Sequence, residues 1–199
     1  LDLGHGGPQR RFLRPSREVI IEAVERLRAG KDARGLRYLG TPRLYSRLEA
    51  MAKDGGGTPP PAEKVAEQFD SLLKEHGYLF SSPEDCDPYA WLETVGPWAP
   101  IIHLQQTDGI SSSHLPFTEE SAEEGIIEPG KVLSTLAKGF EKASLQAELP
   151  PTVDRLYLTL EIFAPTASYP QELLRQMAES VETWREVIPE DGRELSELL

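Results

Sequence analysis

Cysteine is nearly missing from this chain. Cys86 is the only one in 199 residues, so no intrachain disulfide is possible, and a reducing, cytoplasmic setting fits. Long hydrophobic runs are missing as well. No stretch approaches the roughly 20 apolar residues of a membrane helix, so no membrane partner is expected. The opening LDLGHGG has neither a basic n-region nor a cleavage site, and is not read as a signal peptide. It also lacks an initiator Met and starts mid-pattern, as a stretch cut from a longer protein would. Internal repeats and coiled-coil heptads are absent. A basic groove interleaved with aromatics, the mark of a nucleic-acid binder, is absent too.

What is present is a soluble globular composition, 39% hydrophobic and 27% charged, enough for a core in one domain or one and a half. Net charge is −12 but unevenly spread. Residues 1–80 hold 14 Lys+Arg against 11 Asp+Glu, and residues 81–199 hold 7 against 22. The acidic part repels nucleic acid, whose affinity rests on neutralising phosphates. The first part is able to attract a small anion, or is simply a solvated helical surface.

Three helices are expected early. Ser16 is an N-cap candidate ahead of an apolar stripe at Val19, Ile20, Ala23, Val24 and Leu27, and Gly30 is a natural stop. PRLYSRLEAMAK places Leu44, Leu48 and Met51 on one face. AEKVAEQFDSLLKEHG does the same with Val65, Phe69, Leu72 and Leu73. DGGGTPPP, from Asp54 to Pro61, is the clearest linker signal. From Asp87 the texture changes: a short helix (DPYAWLETVG), a strand (APIIHLQQ), a helix (EPGKVLSTLAKGFEKA), a strand (RLYLTLEIF) and a last helix (YPQELLRQMAESVETWREVIP). Strands alternating with helices argue for βαβ units and a parallel sheet, and strands apolar on both faces argue for cover on both sides. The connection GISSSHLPFTEESAEEGIIEPG is long enough to be functional.

Three strand ends carry acids or histidines. LDLGH offers Asp2 and His5, IIHLQQTD offers His103, Gln105 and Asp108, and LYLTLEIF offers Glu161. Alternate strand residues share a face, so His103 and Gln105 point the same way. A carboxylate inside an apolar strand is costly to bury unless it meets a cation or a donor. Glu161 in a salt bridge and His103 as a hydrogen-bonded core residue are the plain alternatives. Taken together, Asp, His and Glu form an N/O set without thiolate that suits Mn²⁺, Mg²⁺, Co²⁺ or Zn²⁺.

The stretches DPYAWLETVGPWAPIIHLQQTDGISSSHLPFTEE, GIIEPGKVL, LYLTLEIF and WREVIPEDG closely resemble the sugar-phosphate epimerases of erythritol catabolism, which act on L-erythrulose 1-phosphate. That family belongs to the xylose-isomerase-like TIM barrels, alongside tagatose and psicose epimerases and endonuclease IV. The resemblance is dense over residues 87–199 and looser over LDLGH. It implies an α/β fold, a partial (β/α)8 barrel holding late strands 6–8, with metal ligands at the C-terminal strand ends. Carried over, Asp2, His103 and Glu161 resemble the metal ligands of strands 6, 7 and 8. Glu161 doubles as a catalytic acid/base, and His5 resembles a histidine that contacts substrate. A further strand-5 glutamate would lie upstream of Leu1. Residues 1–5 are then a barrel strand, residues 6–86 a helical insertion or cap, and residues 87–199 the C-terminal βα units.

The chemistry this implies is metal-dependent epimerisation or isomerisation of a ketose phosphate through an enediolate. Gln105, Asp108, Ser112 and His114 join His5 as expected substrate-binding residues. The serine-rich stretch from Ser111 to His114 is a candidate phosphate loop or a solvated turn, and Arg10, Arg11 and Arg14 are further phosphate candidates. The alternatives are an endonuclease IV-like metal phosphodiesterase or a catalytically incomplete binding fragment. Inversion needs an acid and a base on opposite faces of the carbon, so this chain alone is expected to be inactive. The expected partners are a small sugar phosphate and, as a homo-oligomer, a second copy.

Overall fold

The computed structural model describes residues 1–53, 59–163 and 169–199. Most of the glycine-rich linker, residues 54–58, lies outside them. The chain forms two compact units, Gln9–Pro83 and a second made of Leu1–Pro8 with Glu84–Leu199.

The first unit is helical. Helix α1 spans Arg17–Arg28, α2 Pro42–Lys53 and α3 Ala62–Glu75. Ser16 Oγ accepts the Val19 amide at 3.4 Å, which satisfies one of the orphan donors of a helix start. Gly30, at φ +72°, lets the chain leave α1 through the left-handed region. The apolar stripes meet in one core: Ile20, Val24, Leu48, Val65, Phe69 and Leu73 are all fully buried. Leu13 bridges Ser81, drawing the two ends of this unit together.

The second unit carries the sheet. Helix α4 (Pro88–Val95) starts at Asp87, whose carboxylate accepts the Tyr89 amide at 2.9 Å. Strand β1 (Ile101–Leu104) follows, then the single turn α5 (Glu119–Ala122), the long helix α6 (Pro129–Ser144), strand β2 (Tyr157–Leu160) and helix α7 (Pro170–Arg185). β1 and β2 are parallel, with His103 opposite Thr159. On the other side of β1, the His103 amide donates to Leu1 O at 2.8 Å and Leu3 N donates to His103 O at 3.4 Å. Asp2 thus sits beside His103 in parallel register. Leu3, Leu92, Ile102, Leu104, Phe117, Ile127, Val132, Leu136 and Trp184 form the core beneath.

The strands differ from expectation in length and cover. Both are four residues long, and Ile101 and Tyr157 are half exposed. Alternation, rather than burial on both faces, describes them: Ile102 and Leu104 face the core while Ile101 faces outward. β2 has one pairing neighbour among the described residues, so its outer positions gain no cover from a further strand. The connection between β1 and α6 is pinned rather than open. Gln106 and Leu115 exchange both backbone hydrogen bonds, at 2.8 and 3.0 Å, and close residues 107–114 into a loop. Helix α7 holds the chain just beyond, where Ser180 Oγ accepts the Phe117 amide at 2.8 Å and Thr183 Oγ1 donates to Phe117 O at 3.2 Å.

Candidate metal centre

Asp2, His103 and Glu161 converge because three chain segments run side by side. Asp2 bridges His103, and the ladder of β1 and β2 continues one step further as Glu161 N donates to Leu104 O at 2.9 Å. One ligand-type atom from each of the three residues lies within 4.8 Å of those of the other two. His103 Nδ1 is 2.9 Å from Glu161 Oε2 and 3.9 Å from Asp2 Oδ2. The 2.9 Å approach lacks hydrogen-bond alignment, and Glu161 Oε2 is buried without a hydrogen-bond partner among the described residues. A carboxylate oxygen left in that state is costly. It is a position where a cation or a donor from a ligand would be stabilised.

The two oxygens of Asp2 do different work. Oδ1 accepts the Gly4 amide at 2.9 Å and the side-chain amide of Gln105. Oδ2 faces three imidazoles, with His5 Nε2 at 3.8 Å, and His103 Nδ1 and His114 Nε2 each at 3.9 Å. Gln105 is fully buried, so it orients the aspartate instead of reaching solvent. Gly4 belongs to the same device. A Cβ there would come within 2.6 Å of Gln105 Nε2, so a larger residue would push that amide away. The neighbouring Gln106 has a separate task. Its side chain accepts the Ile127 amide at 2.9 Å and donates to Ile127 O at 3.0 Å, tying the loop base to the chain before α6.

The other expected site residues are spread differently. His114, expected at a phosphate loop, is nearly buried, its side chain 7% exposed, and its Nε2 lies 3.8 Å from Glu161 Oε2. Its ring stacks on Phe163 at 4.1 Å. His5 is 59% exposed at the mouth of the cluster. Asp108 is engaged by its own loop: Oδ1 accepts from Ile110 N at 2.8 Å and Ser111 N at 2.9 Å. The Ser111 amide, then that of Ile110, holds its carboxyl below the usual carboxylate range. Ser111 Oγ also donates to Asp108, and Ser113 Oγ to Thr107 Oγ1 at 3.3 Å, while Ser112 is exposed. Arg14 pairs with Asp70 at 3.2 Å in the helical unit. Phe163 is the residue that sequence reasoning missed. Its place two positions beyond Glu161, in the stretch LYLTLEIF that the sequence reads as a strand, is the signal that marks it.

Hydrogen bonds to one oxygen fix the direction of the other, as the outer contacts of metal-ligating carboxylates do. With a histidine and a second carboxylate, the residues fit a divalent cation with N/O preference.

No protein-family model matches the chain. A search of curated proteins finds the D-erythrulose 1-phosphate 3-epimerase of Brucella abortus (strain 2308), 33% identical over 123 residues. The similarity is to a sugar-phosphate epimerase. The match covers 61% of this chain and 36% of that protein, so the chain spans about a third of the relative's length. Among the described residues, no helix is long and apolar enough to cross a membrane.

Proposed function

We propose that the chain carries the late strands, 6–8, of a (β/α)8 barrel and the metal-holding part of a ketose-phosphate epimerase or isomerase. The observation that supports it most is the meeting of Asp2, His103 and Glu161 beside a parallel strand pair, in a chain similar to a 3-epimerase of erythrulose 1-phosphate. Strand ends are where barrels of this kind place chemistry. The phosphodiesterase alternative gains no comparable support.

Asp2, His103 and Glu161 would hold the ion, and Gln105 and Gly4 keep Asp2 turned toward it. Such an ion supplies positive charge beside a ketone and its neighbouring hydroxyl, where negative charge grows when the adjacent carbon loses a proton. Glu161 would take that proton. In erythrulose 1-phosphate the carbon is C3, next to the C2 ketone, and deprotonation there gives an enediolate. C3 is the only stereocentre, so the D and L forms are the pair that a 3-epimerase interconverts. Inversion needs delivery of a proton to the opposite face, whereas exchange at C3 needs only removal of the proton and return of a solvent deuteron on the same face by one group.

The test incubates the full chain with Mn²⁺ and L-erythrulose 1-phosphate in deuterated solvent and follows the C3 proton by NMR. Exchange that disappears in Glu161→Gln supports the proposal. Exchange no faster than in buffer with Mn²⁺ alone overturns it.

A further inference from the structure

The helical unit carries an open cleft of about 250 Å³ between α2 and the end of α3. Its polar lining is Thr41, Arg43, Arg47, His76 and Tyr78, and leucines complete the wall. No aspartate or glutamate lines it among the described residues. We propose that this cleft binds the phosphate group of a small anion, with Arg43 and Arg47 as its paired guanidinium ligands.

The two arginines carry the argument. Four residues apart, they stand on one face of α2. Other arginines of this unit are already engaged: Arg14 pairs with Asp70, Arg26 with Glu22 and Arg34 with Asp32. Arg43 and Arg47 have neither an ion pair nor a side-chain hydrogen bond among the described residues. Like charges at this helical spacing repel, so an anion between them relieves the pair. The guanidinium fork matches phosphate oxygens two at a time. His76 adds a further group. Its Nδ1 lies 3.0 Å from Leu72 O. A carbonyl only accepts, so Nδ1 carries the proton and Nε2 is left for a ligand. Thr41 Oγ1 accepts the Leu44 amide at 3.4 Å, which leaves its hydroxyl proton to donate.

Two guanidiniums match the charge of a phosphate monoester, about −1.5 to −2 at neutral pH, better than that of a monocarboxylate. The cleft is smaller than the roughly 300–1,000 Å³ of sites for drug-sized ligands. It suits a phosphate with a short carbon body laid against Leu44 and Leu72. A free phosphate ion offers the same oxygens without that body. The site lies wholly within the helical unit and does not rest on the epimerase reading.

The experiment follows the amide NMR signals of the isotope-labelled full chain, freed of metal on a chelating resin and held at constant ionic strength. The probes are glycerol 3-phosphate, inorganic phosphate and acetate. Saturable shifts are expected in the amides of residues 43–47 and 72–79 with both phosphates, and none with acetate. A tighter Kd for glycerol 3-phosphate assigns the site to a phosphate ester, an equal or weaker one to the free ion, and either supports the proposal. Losing one hydrogen bond to a charged group costs roughly tenfold or more in affinity. Arg43→Gln and Arg47→Gln, both at exposed positions, should each weaken binding by about that factor with the far-ultraviolet circular dichroism unchanged. No saturable shift in these segments with either phosphate overturns the proposal. So does acetate binding as tightly as phosphate, or a Kd unchanged in both variants.

Discussion

The side chain of Gln105 donates to Asp2 Oδ1 across 103 residues of chain, and so turns the other oxygen, Oδ2, toward three histidines. That relationship gives a carboxylate at the rim of a sheet a fixed direction.

Gln105→Leu tests it. Leucine nearly conserves volume at a fully buried position, so folding should survive while the donor is lost. Outer contacts of this kind are worth about 10–100-fold in metal affinity. Calorimetric titration with Mn²⁺ should therefore show a Kd weaker by roughly that factor. An unchanged Kd would show that Asp2 orients itself.

Gly4→Ala should act on the same pair by crowding. The new methyl group would meet Gln105 Nε2 at 2.6 Å, and overpacking of this kind costs about 1–3 kcal/mol. Denaturant unfolding should move to lower midpoint, with weaker Mn²⁺ binding alongside. Full retention of both would place Gly4 outside the device.

Asp108 predicts a pH effect. Its carboxyl is held low by the Ser111 and Ile110 amides, so the folded form favours the charged state. The stability it contributes is complete above its unfolded pKa of about 3.9. It is lost as pH falls below that value and through the lowered folded pKa. The melting-temperature difference between the natural chain and Asp108→Ala should be present at pH 6 and shrink below pH 4. A difference that is the same at pH 3 would contradict the assignment.

In the helical unit, Phe69 lies at 0% exposure among residues of all three helices. Phe69→Ala should destabilise that unit by about 3–5 kcal/mol, read as a lower denaturant midpoint of its helical signal. A shift under about 1 kcal/mol would mean that the site collapses around the gap.

The helices were legible because their signals are local. Ser16 and Gly30 bracket α1 by cap chemistry, and the stripes of α2 and α3 follow the 3.6-residue period. The three ligand-type residues were legible because each stands at the end of an apolar strand pattern, where a charged group needs a partner. The tasks of the residues between them were not. Gln105 and Asp108 are both polar residues at a strand end. One reaches back 103 positions and the other closes on its own loop. Nothing in local spacing separates those outcomes. His114 reaches the cluster only because Gln106 pairs with Leu115, a tertiary closure that turn residues do not announce. The cover of β2 was overread for a related reason: an apolar strand pattern reports what a neighbour would bury, and the neighbour itself is a long-range matter. Two paired strands and a bridge accommodate a barrel segment without requiring one.

The central claim is that Asp2, His103 and Glu161 bind one cation together. Anomalous diffraction at the manganese edge, from crystals of the chain grown with Mn²⁺, tests it most directly. The account predicts a peak within about 2.0–2.3 Å of Asp2 Oδ2, His103 Nδ1 and Glu161 Oε2, the reach of direct nitrogen and oxygen ligands. A peak bound elsewhere, or Glu161 Oε2 turned to an ordinary protein donor with no metal beside it, would contradict the account.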